Sequence, residues 1–249
     1  MVIADPGIPL LLYHKIGRPP RGARVPGQYV SPGLFRRHLD YLLARGYATV
    51  SLLDLPRLWT GASPAPGVEA TRPRPVVITF DDGYRCLHEH AFPALAERGM
   101  TATVFLVVGA LGADNSWEQA IGDVAEPMLS LPGIHEMRAQ GMEFGSHTLS
   151  HAHLTQLAPE DARREIAESR LRFEQQLGER CRTLAYPYGE WNQRVREMTE
   201  EAGYELACST RRASARPGDD RLALPRLNIR RYNVTPRFAY KLWRAERAK

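Results

Sequence analysis

Short apolar runs alternate with stretches of helical periodicity along this chain. Runs rich in apolar and β-branched residues over Leu10–His14, Ala48–Leu52, Val76–Phe80, Thr103–Val108, Glu143–His147, Thr183–Tyr186, Glu205–Cys208 and Leu224–Ile229 predict strands. Several are continuously apolar, as expected of strands covered on both faces. Between them, Ser31 reads as an N-cap and Pro32 as the first helical position, followed by an apolar stripe of Phe35, Leu39, Leu42 and Leu43 and a stop at Gly46. Further helices are predicted over Leu87–Arg98, closed by Gly99, and over Glu160–Leu177, where Ala162, Ile166, Phe173 and Leu177 share a face. Two more are predicted over Asn192–Ala202, followed by Gly203, and over about 236–248 at the end of the chain. Strand–helix alternation repeated this often predicts a parallel α/β sheet, open or closed. Two segments interrupt it. Residues 60–75, rich in Pro, Gly and Ala, read as a surface loop, and residues 109–133 read as a long loop that carries Trp117 and covers one end of the sheet. Neither resembles a domain linker and no repeat is present, so residues 1–249 are read as a single domain.

Composition narrows the reading. A length of 249 residues is ordinary for one α/β barrel of roughly 250. The net charge of +5 is scattered, with local groups at Arg211-Arg212, Arg230-Arg231 and Arg244 to Lys249. None is a dense run interleaved with aromatics, so a solvated basic surface is expected and not a nucleic-acid site, with attraction to anionic glycans or lipid headgroups left open. Cys86, Cys181 and Cys208 fit neither a disulfide framework nor a metal motif and are expected to be reduced. The first ten residues have no basic n-region and no run approaches ~20 apolar residues, which predicts a cytoplasmic protein without a signal peptide or membrane span. Nothing in the sequence fixes an oligomeric state.

Chemistry enters at the strand ends. His14, Asp81, Asp82, His147 and the run Tyr186-Pro187-Tyr188 all fall at or just past the C-terminal end of a predicted strand, the end that hosts sites in parallel α/β architectures. His151 follows His147 by one helical turn's spacing. One carboxylate with two imidazoles suits a divalent cation, and the second carboxylate of the Asp81-Asp82 pair is left to act as a base. Singly, each has an ordinary explanation: a strand-ending turn for Asp-Asp-Gly, a rigid turn for Tyr-Pro-Tyr-Gly, a backbone-bonded core position for His14. Convergence on one rim is what singles them out.

Ile78-Thr79-Phe80-Asp81-Asp82-Gly83-Tyr84, Ser146-His147-Thr148-Leu149-Ser150-His151 and Leu184-Ala185-Tyr186-Pro187-Tyr188-Gly189 resemble the first three motifs of the polysaccharide deacetylase family, the NodB-homology domain of carbohydrate esterase family 4. Leu11-Leu12-Tyr13-His14 resembles the start of its exopolysaccharide de-N-acetylase branch. The resemblance implies a distorted (β/α)7-8 barrel and a divalent metal, commonly Zn2+ with Co2+ or Ni2+ as alternatives, held by Asp82, His147 and His151. It implies Asp81 as general base toward a metal-bound water, and the Tyr188 backbone N–H as oxyanion donor. Members with a late Leu-x-His motif take their acid from it; this chain has Leu224-Pro225-Arg226 there and no histidine after His153, and its resemblance to the exopolysaccharide de-N-acetylase branch implies the N-terminal histidine, His14, as the acid instead. The arginine that many members carry in the third motif is missing, and Arg226 is the candidate substitute. Tyr186, Pro187, Trp117 and Arg226 are taken as substrate-binding candidates, and His153 as a turn residue.

The expected activity is therefore metal-dependent removal of N-acetyl groups from an amino-sugar polysaccharide or glycoconjugate. One alternative is deacylation or deformylation of a small or lipid-linked amide. It is favoured by the missing leader and by the basic, aromatic stretch Arg237–Arg244, which suits peripheral membrane contact as well as a final helix docked on the barrel. A second is a catalytically silent glycan-binding module, which the presence of Asp81 and all three metal candidates disfavours.

Overall fold

The computed structural model describes residues 7–60 and 74–247. Its strands are β1 (Leu10–Tyr13), β2 (Lys15–Ile16), β3 (Tyr29–Val30), β4 (Tyr47–Thr49), β5 (Arg74–Phe80), β6 (Thr103–Leu106), β7 (Glu143–Ser146), β8 (Thr183–Ala185), β9 (Leu206–Cys208) and β10 (Leu227–Asn228). Its helices are α1 (Pro32–Ala44), α2 (Leu55–Trp59), α3 (Phe92–Ala96), α4 (Ser116–Gln119), α5 (Leu131–Ala139), α6 (Pro159–Leu177), α7 (Gln193–Glu201) and α8 (Thr235–Arg247).

Eight strands form one sheet in the order β10-β1-β5-β6-β7-β8-β9, with β4 beside the start of β5, and every pairing is parallel. The sheet curls until its ends meet: Leu224, just before β10, bridges Cys208 of β9. This is a distorted (β/α) barrel of one α/β unit, as the family resemblance implies; the strand–helix alternation alone leads one to expect a parallel sheet, open or closed. Strand residues alternate between two cores. Leu11, Tyr13, Ile78, Phe80, Val104 and Leu184 pack under the helices, while Leu10, Val77, Phe105, Ala185 and Leu224 fill the interior. Burial on both faces explains the continuously apolar strand sequences.

The helix signals translate locally. Ser31 accepts a hydrogen bond from the Leu34 N–H with Pro32 opening α1, and Asn192 does the same for Val195 in α7. In α8, Phe238, Leu242 and Ala245 are buried while Tyr240 and Trp243 are exposed. Phe238 stacks on His38 of α1 at 4.1 Å between centroids.

Several expectations are corrected. The helix expected over Leu87–Arg98 is divided into a wide π turn at Leu87–Ala91 and α3; Pro93 lacks an N–H, and its ring would crowd the carbonyl one turn back in a regular helix. The loop expected at 109–133 holds α4 and runs into α5, capped by Ser130; Pro132, near the start of that helix, is compatible with its first turn. The end of the loop expected at 60–75 is strand, with Arg74 and Pro75 paired to Tyr47 and Ala48, and residues 61–73 lie outside the described residues. Pro75 is tolerated because β1 has not yet begun alongside it: β1 joins β5 only at Val77. The last strand shrinks to Leu227–Asn228, because Pro225 cannot donate to a ladder. The parallel pair β2–β3 was not anticipated. No described helix is long and apolar enough to cross a membrane.

Candidate metal centre

Asp82 follows β5, and His147 follows β7, whose end β6 holds by a 2.7 Å hydrogen bond from the His147 N–H to Leu106 O. His151 lies one tight turn later. Asp82 Oδ1 is 3.3 Å from Nε2 of both His147 and His151, and one ligand atom from each of the three buried residues lies within 4.8 Å of the others. The same Oδ1 is sheltered from solvent without an aligned hydrogen bond. Three ligand atoms that face one another without hydrogen-bonding suit a shared cation. Bonds of about 2.0–2.1 Å in a tetrahedron put neighbouring ligands about 3.3–3.4 Å apart. His147 Nδ1 lies 2.7 Å from Ala185 O. A carbonyl can only accept, so the proton sits on Nδ1 and the Nε2 lone pair is free for a metal.

Backbone strain is concentrated here. The non-glycine residues with left-handed φ among those described are Asp82 (72°), Thr148 (65°), His151 (63°) and Tyr188 (60°). Each pays of order 1–3 kcal/mol for that conformation, and the neighbours over-determine it. Ser146 Oγ accepts from the Thr148 N–H, and Thr148 Oγ1 from the His151 N–H. From α6, Glu165 accepts from the backbone N–H groups of Leu149 and Ser150 at 3.0 and 2.9 Å and from the Ser150 hydroxyl. Gly109 closes the turn from the other side: its N–H donates to Leu149 O at 2.8 Å, and a Cβ there would lie 2.5 Å from that oxygen. The glycine is required by close approach.

Asp81 does not join the triad. Arg226 Nη1 and Nη2 donate to its two oxygens at 2.6 and 2.7 Å, and both side chains are buried. Burial pushes the Asp81 carboxyl up, but Arg226 and then His147 outweigh it and hold it below the usual carboxylate value. Arg226 is anchored by Nε to Ser209 O at 3.0 Å. It thus stands behind the carboxylate and is closed to solvent, not on the substrate side.

His14, Asp81, Asp82, His147, His151, Trp117 and Tyr188 line one cavity of about 370 Å3. Trp117 stacks on His151 at 5.0 Å, and Tyr188 meets the same imidazole edge-on at 4.6 Å. His14 is partly buried with Nδ1 unpartnered; burial lowers its pKa, with Asp82 and Asp81 pulling it back up. Tyr186 and Pro187 are buried outside this lining, and the Tyr186 hydroxyl donates to Leu222 O at 2.8 Å. His153 turns away to Glu190 at 3.0 Å and stacks on Tyr188.

Sequence reasoning missed Lys15. This lysine is 1% exposed and bonds Glu118 at 2.7 Å under the rings of Tyr29 and Tyr84. Asn115 also donates to Glu118, so the pair ties the segment that carries Trp117 to the first strands. A lysine inside the apolar run Leu10–Ile16 was the available signal.

The motifs, the sheet and the site now converge with the comparisons. Residues 69–207, more than half of the chain, match the polysaccharide deacetylase family profile. The chain belongs to this family. Its relatives and structural neighbours support a hydrolase acting on N-acetyl amide bonds. The Bacillus subtilis protein YxkH is 27% identical over 222 residues, covering 89% of this chain and 71% of that one. A Staphylococcus aureus poly-β-1,6-N-acetyl-D-glucosamine N-deacetylase is 26% identical over 165 residues, 63% of this chain and 54% of that enzyme, so the match spans about half of it. Among solved structures, IcaB from Ammonifex degensii superposes with TM-score 0.78 at 26% identity over 96% of this chain and 98% of that one. The Streptococcus pyogenes deacetylase PplD, solved with acetate, gives 0.79 at 25% identity over 95% and 98%.

Proposed function

We propose that this protein removes N-acetyl groups from an amino-sugar glycan or glycoconjugate, using a divalent cation held by Asp82, His147 and His151. The observation that carries the reading is the buried Asp82–His147–His151 cluster with an independently anchored carboxylate, Asp81, in the same cavity. The relative named for poly-β-1,6-N-acetyl-D-glucosamine supports an N-acetylated hexosamine as the acyl carrier. Bound there, a cation acidifies water and draws electron density from the amide carbonyl. Asp81 accepts the proton of the attacking water. Arg226 keeps that carboxylate ionised and fixes its plane, so it meets the water ready to accept. The Tyr188 N–H faces the charge that develops on the carbonyl oxygen. His14, on the same cavity wall, gives a proton to the departing amine. Tyr188 and Trp117 offer ring faces to the sugar.

The test is acetate release from chitooligosaccharides, β-1,6-linked N-acetylglucosamine oligomers, peptidoglycan fragments and lipid-linked amino sugars, with metal content measured alongside. Release that a chelator abolishes and a divalent cation restores supports the reading. Asp81→Asn is expected to keep the metal and lose about 10²–10⁴-fold in turnover. A metal-free protein whose behaviour Asp82→Ala leaves unchanged ends it.

A further inference from the structure

Beside the site cavity lies a second one of about 580 Å3, walled by the end of β10 and one flank of α8. Arg212 and Asn228 line both cavities, so the two are adjacent. Arg212, Arg237, Lys241 and Arg244 line the second cavity, and no carboxylate does. Some arginines of the surface are met by acids, among them Arg98 by Asp40, Arg182 by Glu205 and Arg196 by Asp220. Arg212, Arg237 and Arg244 have no carboxylate within ion-pair distance among the described residues. Lys241 is held at the floor by hydrogen bonds to Asn228 O at 2.6 Å and Asn233 Oδ1 at 3.3 Å. Burial lowers its pKa first, and Arg212 and Arg230 add to that. Like charges gathered in a concave wall destabilise the empty protein and concentrate an anion there.

A second observation points the same way. Asn228, at the junction of the two cavities, has a side-chain oxygen that is sheltered from solvent and has no hydrogen-bond partner. A buried acceptor of this kind calls for a donor, and a sugar hydroxyl crossing from one cavity to the other supplies one. Tyr240, 59% exposed, adds an aromatic face to the same wall.

We propose that the second cavity binds an anionic group, a carboxylate or phosphate, on the glycan whose acetamido group occupies the site cavity. The substrate class is then an acidic amino-sugar polymer or glycoconjugate. This rests on the deacetylase reading and narrows it. Arginine forks suit either anion by paired hydrogen bonds.

The test is calorimetric binding of a hyaluronan hexasaccharide, which alternates N-acetylglucosamine with uronate, against neutral chitohexaose. Tighter binding of the acidic oligomer by about ten-fold at low salt is expected, disappearing near ~0.5 M salt as charges are screened. Inorganic phosphate is expected to compete with the acidic oligomer only. The Arg237→Gln/Arg244→Gln double variant is expected to lose the preference, and its Arg→Lys counterpart to retain part of it. Equal binding of the two oligomers, or a preference that survives the double Gln variant, overturns the proposal. So does binding to phosphatidylglycerol vesicles with no oligosaccharide preference, which would make α8 a membrane contact. Acetate release from chitohexaose separates the two readings. Release without anion preference removes the second cavity and leaves the deacetylase; anion preference without release from any oligomer removes the deacetylase.

Discussion

Arg226 holds Asp81 by two parallel hydrogen bonds of 2.6 and 2.7 Å across 145 residues of sequence. Arg226 is closed to water, and Asp81 meets it only at the wall of the site cavity. A charge buried in this way is tolerated only while its partner is present.

Arg226→Met is therefore expected to cost about 3–5 kcal/mol of stability, because Asp81 is left as an uncompensated buried carboxylate. Urea unfolding measures it. The Arg226→Met/Asp81→Leu pair is expected to recover much of that loss while remaining inactive. A single variant as stable as the parent would mean that the pair does not hold the fold.

Glu165 makes three hydrogen bonds to the turn between His147 and His151. Glu165→Ala frees that turn without touching a ligand atom. Metal affinity is expected to fall about 10–100-fold, the usual scale for a group that supports a ligand, as read by competition with a chelating dye. Unaltered affinity would place the turn's rigidity elsewhere, Gly109 being the next candidate.

Lys15 and Glu118 form a buried ion pair at 2.7 Å. Lys15→Met is expected to destabilise by about 3–5 kcal/mol, with Lys15→Met/Glu118→Leu less affected than the single change. Near-ultraviolet dichroism reports Trp117 in the same samples, since Trp117 shares α4 with Glu118.

The sites of these three variants differ in how visible they were in the sequence. Asp81, Asp82, His147 and His151 stood out because each closes or follows an apolar run, and strand ends can be read from period and composition alone. Arg226 was noticed both as the substitute for the missing third-motif arginine and as a residue that meets substrate, and only the first agrees with its place behind Asp81. Its burial depends on the sheet curling until Leu224 reaches β9, a long-range event that no local pattern encodes. Glu165 looked like one more acid on the polar face of α6, because its partners are backbone N–H groups that have no sequence signature. Lys15 and Glu118 lie 103 residues apart. The wide turn at Leu87–Ala91 escaped for a different reason: the apolar spacing of a regular helix and that of a π turn hardly differ over five residues.

His38 gives a pH dependence with a definite sign. Its pKa is pushed down from 6.5 to about 4, chiefly by burial, with the Asn233 backbone bond opposing and Arg37 adding to the shift. The neutral ring is fully satisfied, donating from Nε2 to Asn233 O and accepting at Nδ1 from the Tyr13 hydroxyl. The unfolded chain takes up a proton near pH 6.5 and the folded one only near 4, so stability is complete above about 6.5 and falls as pH drops toward 4. The loss is at most about 3.5 kcal/mol, from ~1.4 kcal/mol per unit. Urea unfolding from pH 4 to 7.5 reads it, and His38→Gln is expected to flatten the slope by that amount.

The short segment that closes the barrel also brings the partner of Asp81. On the ribosome, Asp81, Asp82, His147 and His151 are all made before Arg226. Closure of the sheet at Leu224 and delivery of Arg226 to Asp81 are carried by the same few residues, so a chain whose last strand is undocked lacks the counter-charge of that carboxylate.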